Sequence, residues 1–297
     1  MHDVVIIGSG AAGLTAAIYA ARLGLDAVVI GKDKGMWSHA YRIENYPGIE
    51  SISGVELADR TIAQAEKLGA RIVRDSVVEL TKSSAKTSEN KEFQARYFII
   101  ASGTEHRHLN LQNEKELIGR GVCYCAVCDA PFFLKKDVAV VGAGDSALTS
   151  ALLLSGYASK IYIICRGDKP TAEQIWIDKI SRIRNIELIA NANVAEIKGT
   201  KFLEGIRLDN GKELKVSGLF VAIGSIPSTA AFKSIGLAMD KEGYIVVDQA
   251  QKTSIGNVYA AGDITTGSNK LRQIITACSE GAIAAESISK ELKKGKS

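Results

Sequence analysis

The stretch Asp3-Val-Val-Ile-Ile-Gly-Ser-Gly-Ala-Ala-Gly-Leu-Thr15 begins the chain, and a related stretch, Asp137-Val-Ala-Val-Val-Gly-Ala-Gly-Asp-Ser-Ala-Leu-Thr149, recurs near its middle. Each stretch is an apolar run, then a glycine turn, then a helical run of small residues. A further apolar run follows at Ala27 to Ile30 in the first copy and at Ile161 to Ile164 in the second. This order predicts a βαβ unit with parallel strands. The repeat therefore predicts two copies of one nucleotide-binding unit.

The segment after the second copy does not repeat the pattern again. Asn257 to Ile264 reads as a strand running into a glycine turn with a carboxylate, and Lys270 to Lys290 reads as a long helix. We expect an α/β fold of two Rossmann-like dinucleotide-binding domains, the first discontinuous and completed by this C-terminal segment. The expected domains are residues 1–112 with 244–297, and residues 113–243, joined by polar connections near Leu111 to Glu114 and Asp240 to Tyr244.

The composition is typical of a globular enzyme. Of the 297 residues, 46% are hydrophobic and 24% charged, which suits a large core and argues against long disordered segments. The net charge of +4 is spread along the chain, so we expect no nucleic-acid partner. The N-terminus starts directly with a strand, so we expect no signal peptide, no membrane span and a cytoplasmic location. Five cysteines, an odd number, indicate reduced thiols with one working pair.

The first glycine turn, Gly8-x-Gly10-x-x-Gly13, lies between a strand and a helix, the context in which this pattern indicates dinucleotide binding. The first glycine permits the tight turn, the second lets the backbone approach a pyrophosphate, and the third lets helix and strand pack closely. The amide groups of the helix N-terminus would face the phosphates. Asp33 follows the second strand, where a ribose-binding carboxylate is expected, although it could equally be a loop residue.

The second glycine turn, Gly142-x-Gly144-x-x-Ala147, is the alanine variant of the same pattern. Beyond its second strand lies Cys165-Arg-Gly-Asp-Lys169, where the adenosine ribose should sit. Arg166 and Lys169 could hold a 2′-phosphate, whereas Asp168 would oppose it. These residues leave NADPH and NADH both open.

The segment Cys125-Ala-Val-Cys-Asp129 carries two thiols at a spacing that suits a reversible disulfide or half of a zinc site. Zinc would need two further ligands, and the nearby Cys123, His106 and His108 form no paired motif, so we expect no metal. In a redox reading, Asp129 could carry the proton of a leaving thiolate or cap a helix. Cys165 and Cys278 are expected to be core cysteines.

With these residues established, the chain resembles the low-molecular-weight thioredoxin reductases of the two-dinucleotide-binding-domain flavoproteins. The resemblance runs nearly end to end. It rests on Gly8-Ser-Gly-Ala-Ala-Gly13, Glu44-Asn-Tyr-Pro-Gly48, Ile100-Ala-Ser-Gly103, Cys125-Ala-Val-Cys-Asp129, Gly142-Ala-Gly-Asp-Ser-Ala147, Ala261-Gly-Asp263 and Arg272-Gln273.

The resemblance implies FAD in the first domain and a nicotinamide nucleotide in the second, each domain rotating against the other in a homodimer. It also implies that Cys128 lies next to the flavin, that Cys125 exchanges with thioredoxin or a similar protein disulfide, and that Asp129 acts as acid and base. The implied FAD site comprises Gly8, Gly10, Ala11, Ala12, Gly13, Asp33, Lys34, Asn45, Val77, Ala101, Gly103, Gly262, Asp263, Arg272 and Gln273. The implied nicotinamide-nucleotide site comprises Gly142, Gly144, Asp145, Ser146, Ala147 and Arg166.

One departure from the family concerns the electron donor. The family's NADPH signature, His-Arg-Arg-x-x-x-Arg, appears here as Cys165-Arg-Gly-Asp-Lys-Pro-Thr171, with only the first arginine kept. Since charge-assisted contacts to a phosphate are strong, we expect weakened NADPH binding and keep NADH, a ferredoxin or a deazaflavin as alternative donors. A dithiol oxidase, a reductase of peroxiredoxins or small disulfides, and a non-catalytic nucleotide- or zinc-binding protein are the alternative functions.

Overall fold

The computed structural model describes residues 1–40 and 43–294, without the side chains of His39, Cys128 and Lys270. The α-helices are α1 (Ala11–Arg22), α2 (Gly54–Lys67), α3 (Ala126–Asp129), α4 (Asp145–Leu154), α5 (Gln174–Ser181) and α6 (Ile274–Lys294). The strands are β1 (His2–Ile7), β2 (Ala27–Ile30), β3 (Arg71–Val73), β4 (Val77–Leu80), β5 (Ser84–Thr87), β6 (Glu92–Ile100), β7 (Thr104–His106), β8 (Val122–Cys123), β9 (Asp137–Val141), β10 (Lys160–Ile164), β11 (Ile186–Ile189), β12 (Val194–Lys198), β13 (Gly205–Leu208), β14 (Glu213–Leu214), β15 (Gly218–Val221), β16 (Ser225–Pro227) and β17 (Val258–Ala260).

The first unit is a parallel sheet with an antiparallel extension. Its order is β3-β2-β1-β6, with β17 beside the C-terminal part of β6 and β5-β4 added antiparallel to the N-terminal part. The central strand β1 is almost wholly buried, because helices cover both faces of a parallel sheet. α6 packs against α1 and carries the C-terminal segment back onto this unit.

The second unit repeats the parallel sheet arrangement of the first. Its parallel sheet has the order β11-β10-β9-β15-β8, and a separate antiparallel sheet contains β12, β13 and β14. One face of the parallel sheet packs on apolar residues of α4, among them Leu148 and Leu154, and the other face packs on the small sheet through Ile206 and Leu214. The predicted fold class, two α/β units with the first completed by the C-terminal segment, therefore agrees with the structure.

The chain crosses between the units earlier than the sequence predicted. Residues 1–38, 43–105 and 226–297 form the first unit, and residues 106–225 form the body of the second. Leu109 and Leu111 pack on the core of the second unit, whereas Phe232 and Leu237 belong to the core of the first. At the first crossing, polar neighbours conceal Leu109 and Leu111 in the sequence.

Two smaller expectations also need correction. The connection ending at Glu114 is polar in sequence but not fully exposed, because Glu114 is buried. The long C-terminal helix begins at Ile274, and the predicted start at Lys270 falls on a separate short 3-10 turn, Ser268–Lys270. Among the helices that the structure describes, none is both long and apolar enough to cross a membrane.

Candidate active site

The first glycine turn has the geometry of a phosphate cradle. Gly8 has φ +115°, and a Cβ there would lie 2.1 Å from the carbonyl oxygen of Ala101. A Cβ at Gly13 would lie 1.9 Å from the carbonyl oxygen of Gly8, so this position also needs glycine. At Gly10 the nearest atom to an added Cβ would be the Gly35 Cα at 4.0 Å, so the backbone of Gly10 is open to a ligand.

The N-terminus of α1 is open as well. Gly10 is its N-cap, the first turn begins with the buried Ala11 and Ala12, and no side chain of the described chain caps its amide groups. Such amide groups, at the positive end of the helix dipole, favour an anion. The turn thus fits the pyrophosphate of a dinucleotide.

The loop after β2 lies against this turn. The Asp33 carboxylate accepts a hydrogen bond from the Gly35 amide at 2.8 Å, and the Ser9 hydroxyl donates to the Asp33 carbonyl. Asp33 is exposed and close to Gly10, in the position expected of a ribose-binding group. Lys34 instead forms an ion pair with Asp59 on α2, with 2.5 Å between Nζ and Oδ1.

The C-terminal segment brings a second group of predicted residues to the same unit. Gly262 lies at a turn with φ +84°, followed by the largely buried Asp263. Burial raises the pKa of the Asp263 carboxyl, and the Arg272 guanidinium opposes that rise. Polar ribityl hydroxyls would give this carboxylate hydrogen-bond partners.

Four further predicted residues are placed by contacts within the first unit. The Asn45 amide donates to the Gln273 side-chain oxygen at 3.0 Å. The Arg272 guanidinium stacks over the ring of Tyr244, 4.1 Å from its centroid. Val77, at the start of β4, packs partly buried on the apolar core. Gly103, with φ +65°, has open space where a side chain would be.

The second glycine turn repeats the geometry of the first. Gly142 has φ +124°, and a Cβ there would lie 2.1 Å from the carbonyl oxygen of Ala222. Gly144 has nothing within 4 Å of an added Cβ, and Ala147 is fully buried beneath the turn. The first turn of α4 differs, because it contains the carboxylate of Asp145. That carboxylate accepts from the Glu173 amide at 2.7 Å, and Ser146 next to it is exposed.

The loop after β10 is tied down by backbone hydrogen bonds. The Thr171 amide donates to the Ala143 carbonyl at 2.8 Å, and the Asn191 amide donates to the Gly167 carbonyl at 2.9 Å. These bonds place the loop beside the second glycine turn. Arg166, Asp168 and Lys169 are exposed on it, so this loop offers two cations and one carboxylate to a ligand.

The redox segment lies in the same unit as the second turn. Cys125 is half-buried in the two-residue link between β8 and α3, and it is disulfide-bonded. The backbone of Cys128 lies in α3, but its side chain is outside the described part of the structure, so the Cys125–Cys128 pairing stays a prediction. The other three cysteines, Cys123, Cys165 and Cys278, are free and buried.

Cys123 is a buried thiol that favours its protonated form. Burial, reinforced by the Asp129 carboxylate to which the thiol is hydrogen-bonded, raises the pKa of Cys123 well above its usual value. A protonated thiol is a poor nucleophile. Within residues 1–40 and 43–294, no group of three or more His, Cys, Asp or Glu side chains is arranged to hold a metal ion.

Two open glycine turns and a cysteine disulfide define the class of this protein, a dinucleotide-dependent disulfide oxidoreductase. Comparison with known proteins gives the family. The model of the family "Pyridine nucleotide-disulphide oxidoreductase" matches residues 2–281, and the chain belongs to this family.

Its relatives and structural neighbours are consistent with one another. The chain is 40% identical to a thioredoxin reductase of Listeria monocytogenes over 98% of this chain and 93% of that protein. It is 38% identical to a thioredoxin reductase of Bacillus subtilis over 97% of this chain and 94% of that protein. The crystal structure of Lactococcus lactis thioredoxin reductase (FR conformation) superposes with a TM-score of 0.93, at 34% identity, over 99% of this chain and all of that one. The crystal structure of T. acidophilum thioredoxin reductase superposes with a TM-score of 0.92, at 37% identity, over 98% of this chain and 99% of that one.

The resemblance to low-molecular-weight thioredoxin reductases is therefore confirmed, together with the fold class. The chain is an oxidoreductase and a flavoprotein with FAD as its cofactor. The open turn at Gly10 and the bare N-terminus of α1 fit that cofactor.

The sequence analysis overlooked Glu280. This side chain of α6 is 3% exposed and accepts from the Gly262 amide at 2.7 Å and the Thr265 hydroxyl at 3.0 Å. It fixes the turn that carries Asp263. One signal could have revealed it: Glu280 is a lone carboxylate amid small and apolar residues of α6, where burial needs a specific partner.

Proposed function

We propose that this protein reduces thioredoxin, or a similar protein disulfide, through a Cys125–Cys128 dithiol. The observation that carries the proposal is the disulfide-bonded state of Cys125 at the start of a helix in the unit that holds the second glycine turn. The two relatives described above are themselves named thioredoxin reductases, which supports the choice of substrate.

The proposed exchange uses both cysteines in turn. The Cys125 thiolate attacks one sulfur of the partner disulfide, and the partner's other sulfur leaves as a thiolate and takes up a proton. The Cys128 thiolate then attacks the Cys125 sulfur, which releases the partner as a dithiol and restores the enzyme disulfide. Asp129, one residue beyond Cys128, is proposed to carry the protons.

FAD, when bound, takes two electrons from a donor and passes them to a disulfide. We propose that the first glycine turn and the N-terminus of α1 bind its pyrophosphate, and that Asp33 binds a ribose. Asp263 would bind the ribityl chain, with Asn45, Arg272 and Gln273 beside the ring. The ion pair of Lys34 with Asp59 argues for a smaller part of Lys34 in the site.

We propose a nicotinamide nucleotide at the second glycine turn as the electron donor. Arg166 and Lys169 offer cations to a 2′-phosphate, but Asp168 lies between them in sequence. Only the first of the three arginines in the family's NADPH signature is present here, so we propose NADH rather than NADPH at this site. A homodimer in the cytoplasm is proposed from the family resemblance.

Anaerobic titration tests the donor and the cofactor together. Purified protein should be yellow, and NADH should bleach the flavin absorbance at lower concentration than NADPH does. Bleaching by NADPH at the lower concentration would contradict the proposed preference. Bleaching by neither nucleotide, with bleaching by dithionite, would exclude nicotinamide donors and favour a ferredoxin or a deazaflavin.

A substrate panel tests the rest of the proposal. The wild-type enzyme should reduce thioredoxin faster than peroxiredoxins or small disulfides, and Cys125→Ser should abolish the activity while the flavin stays bound. A Cys278→Ser variant, which changes a cysteine on α6, is the matched control. Thioredoxin reduction that survives in Cys125→Ser would refute the role of Cys125.

A further inference from the structure

A buried carboxylate lies beside the redox segment in the second unit. Glu114 is 1% exposed and accepts three hydrogen bonds. Two come from the backbone amides of Leu109 and Asn110, at 2.8 and 2.7 Å, and the third comes from the Tyr124 hydroxyl at 2.5 Å. Tyr124 immediately precedes Cys125, so this carboxylate connects residues 109–110 with the redox segment.

The numbers of donor protons and acceptor atoms around Tyr124 fix the direction of each hydrogen bond. The phenol has one proton, and that proton goes to Glu114, which only accepts. Burial, with the Glu114 carboxylate, raises the pKa of the Tyr124 phenol well above its usual value, so the phenol keeps this proton. The His108 Nδ1 lies 2.6 Å from the same phenol oxygen and must therefore be the donor.

The rings around Tyr124 limit its movement further. The His108 ring meets the Tyr124 ring edge-on at 5.1 Å between centroids, and the His106 ring lies at 5.5 Å. The Tyr124 side chain is thus held by two hydrogen bonds and by the neighbouring rings of His106 and His108. Its neighbour Cys125 is held from the other side, because the Cys125 carbonyl accepts from the Asp129 amide at 3.1 Å.

We propose that Tyr124, held by Glu114 and His108, is a positioning residue that fixes Cys125 for thiol–disulfide exchange. This inference rests on the proposed exchange role of Cys125. Thiol–disulfide exchange needs the attacking sulfur aligned with the disulfide bond, and a small displacement of a reacting group costs a large factor in rate. Cys125 lies in a two-residue link, and the side chain of Tyr124 is the anchor on its N-terminal side.

The test measures Cys125 directly, without a protein substrate. Dithionite-reduced enzyme is mixed with the aromatic disulfide 5,5′-dithiobis(2-nitrobenzoic acid), and the rate of the first thiolate release is followed. Tandem mass spectrometry after a brief reaction, carried out in a Cys128→Ser background where the mixed disulfide cannot be resolved, identifies the modified cysteine. Tyr124→Phe should slow modification of Cys125 by roughly tenfold, because the ring remains while both hydrogen bonds are lost. Tyr157→Phe, at an exposed tyrosine of the same unit, is the matched control.

A second pair of variants separates positioning from a merely structural effect. His108→Ala should slow the reaction by roughly threefold, and His108→Asn should return it to within about twofold of wild type, because the asparagine amide can replace the Nδ1 donor. Flavin reduction by dithionite should be unchanged in all variants.

Several results would overturn the inference. Wild-type rates at Cys125 in Tyr124→Phe would do so, as would an equal loss in both His108 variants. If Tyr124→Phe fails to fold, wild-type rates in His108→Ala would overturn it. Failure of the proposed function looks different, since the wild-type enzyme would then react at Cys125 yet leave thioredoxin oxidised.

Discussion

The two glycine turns share one backbone geometry but differ in the side chains at the helix that follows. α1 begins Ala11-Ala12 without an acidic residue in its first turn, whereas α4 begins with Asp145. Gly8 and Gly142 would each place a Cβ 2.1 Å from a carbonyl oxygen, so the turn itself is equally constrained in both units. The difference lies in charge: the first turn of α1 has no acidic side chain, whereas that of α4 has the Asp145 carboxylate, which would oppose a phosphate there.

This difference matches the lifetimes that the two ligands need. A flavin that stays bound through many turnovers suits the uncharged turn of the first unit. A nicotinamide nucleotide must leave in every cycle, and a like charge near its phosphates raises its rate of release. We therefore propose tight binding at the first turn and exchangeable binding at the second.

The strongest test of the comparison is a matched pair of alanine substitutions, Gly8→Ala and Gly142→Ala. Each should lower the free energy of unfolding by roughly 3 kcal/mol or more, because the new Cβ meets a backbone carbonyl at a positive φ. Only Gly8→Ala should lose FAD, measured by flavin absorbance after gel filtration. Gly24→Ala, at φ +73° with no atom within 4 Å, controls for the backbone strain alone. Flavin loss in Gly142→Ala would remove the distinction between the turns.

The structure describes no buried carboxylate at the second glycine turn that corresponds to Glu280. Removal of the Glu280 carboxylate should have the next largest effect on stability. Glu280→Ala should lower the free energy of unfolding by about 2–3 kcal/mol, because it leaves the buried Gly262 amide without its acceptor. FAD affinity should fall with it, since the turn of Asp263 loosens. Glu286→Ala, a partly exposed residue of α6 paired with Lys290 at 3.5 Å, serves as the control. Thermal unfolding and flavin titration measure the two effects.

Asp145→Asn makes the second turn more like the first. Asparagine keeps an oxygen to accept from the Glu173 amide but removes the charge. The affinity for the nicotinamide nucleotide should rise by roughly threefold to tenfold, equivalent to about 1 kcal/mol. The loss of a favourable helix-dipole interaction should cost roughly 0.5 kcal/mol of stability. Nucleotide titration at low and high salt checks both the gain and its screening; a gain that persists unchanged in high salt would contradict a charge effect.

Lys34→Met should have the smallest effect and decides whether Lys34 belongs to the flavin site. The ion pair with Asp59 is solvent-exposed, so its loss should change the free energy of unfolding by less than about 0.5 kcal/mol. FAD affinity should be within about twofold of wild type. Asp59→Asn breaks the same pair from the other side. A large loss of flavin in Lys34→Met but not in Asp59→Asn would place Lys34 in the FAD site.

The sequence predicted the parallel part of both units because one pattern occurs twice with the same strand, turn and helix order. It did not predict the antiparallel sheets of β4–β5 and β12–β14, which lie outside the repeat and lack its glycine signal. The first crossing was misplaced because Leu109 and Leu111 lie among polar residues, and the second because nothing in the local sequence assigns Phe232 and Leu237 to either unit. Their membership of the first core depends on contacts distant in sequence.

The candidate site also divides into features that the sequence predicts and features that it does not. Glycine positions follow from backbone sterics and can be read from spacing alone. Glu280, Glu114 and Tyr124 act through tertiary hydrogen bonds, and no spacing rule connects Glu280 to Gly262 or Glu114 to Tyr124. Lys34 illustrates the reverse case, since a motif position proved to hold an ion pair with a helix that the motif does not include.

The discontinuity of the first unit has a consequence for biosynthesis. β17 and α6 follow residues 106–225 in the chain, so β17 pairs with β6 only after the whole of that segment has been translated. Residues 106–225 form one continuous segment, which can fold while synthesis continues. The order of folding thus reverses the order of the chain, and a nascent polypeptide acquires its redox segment before it can retain a flavin.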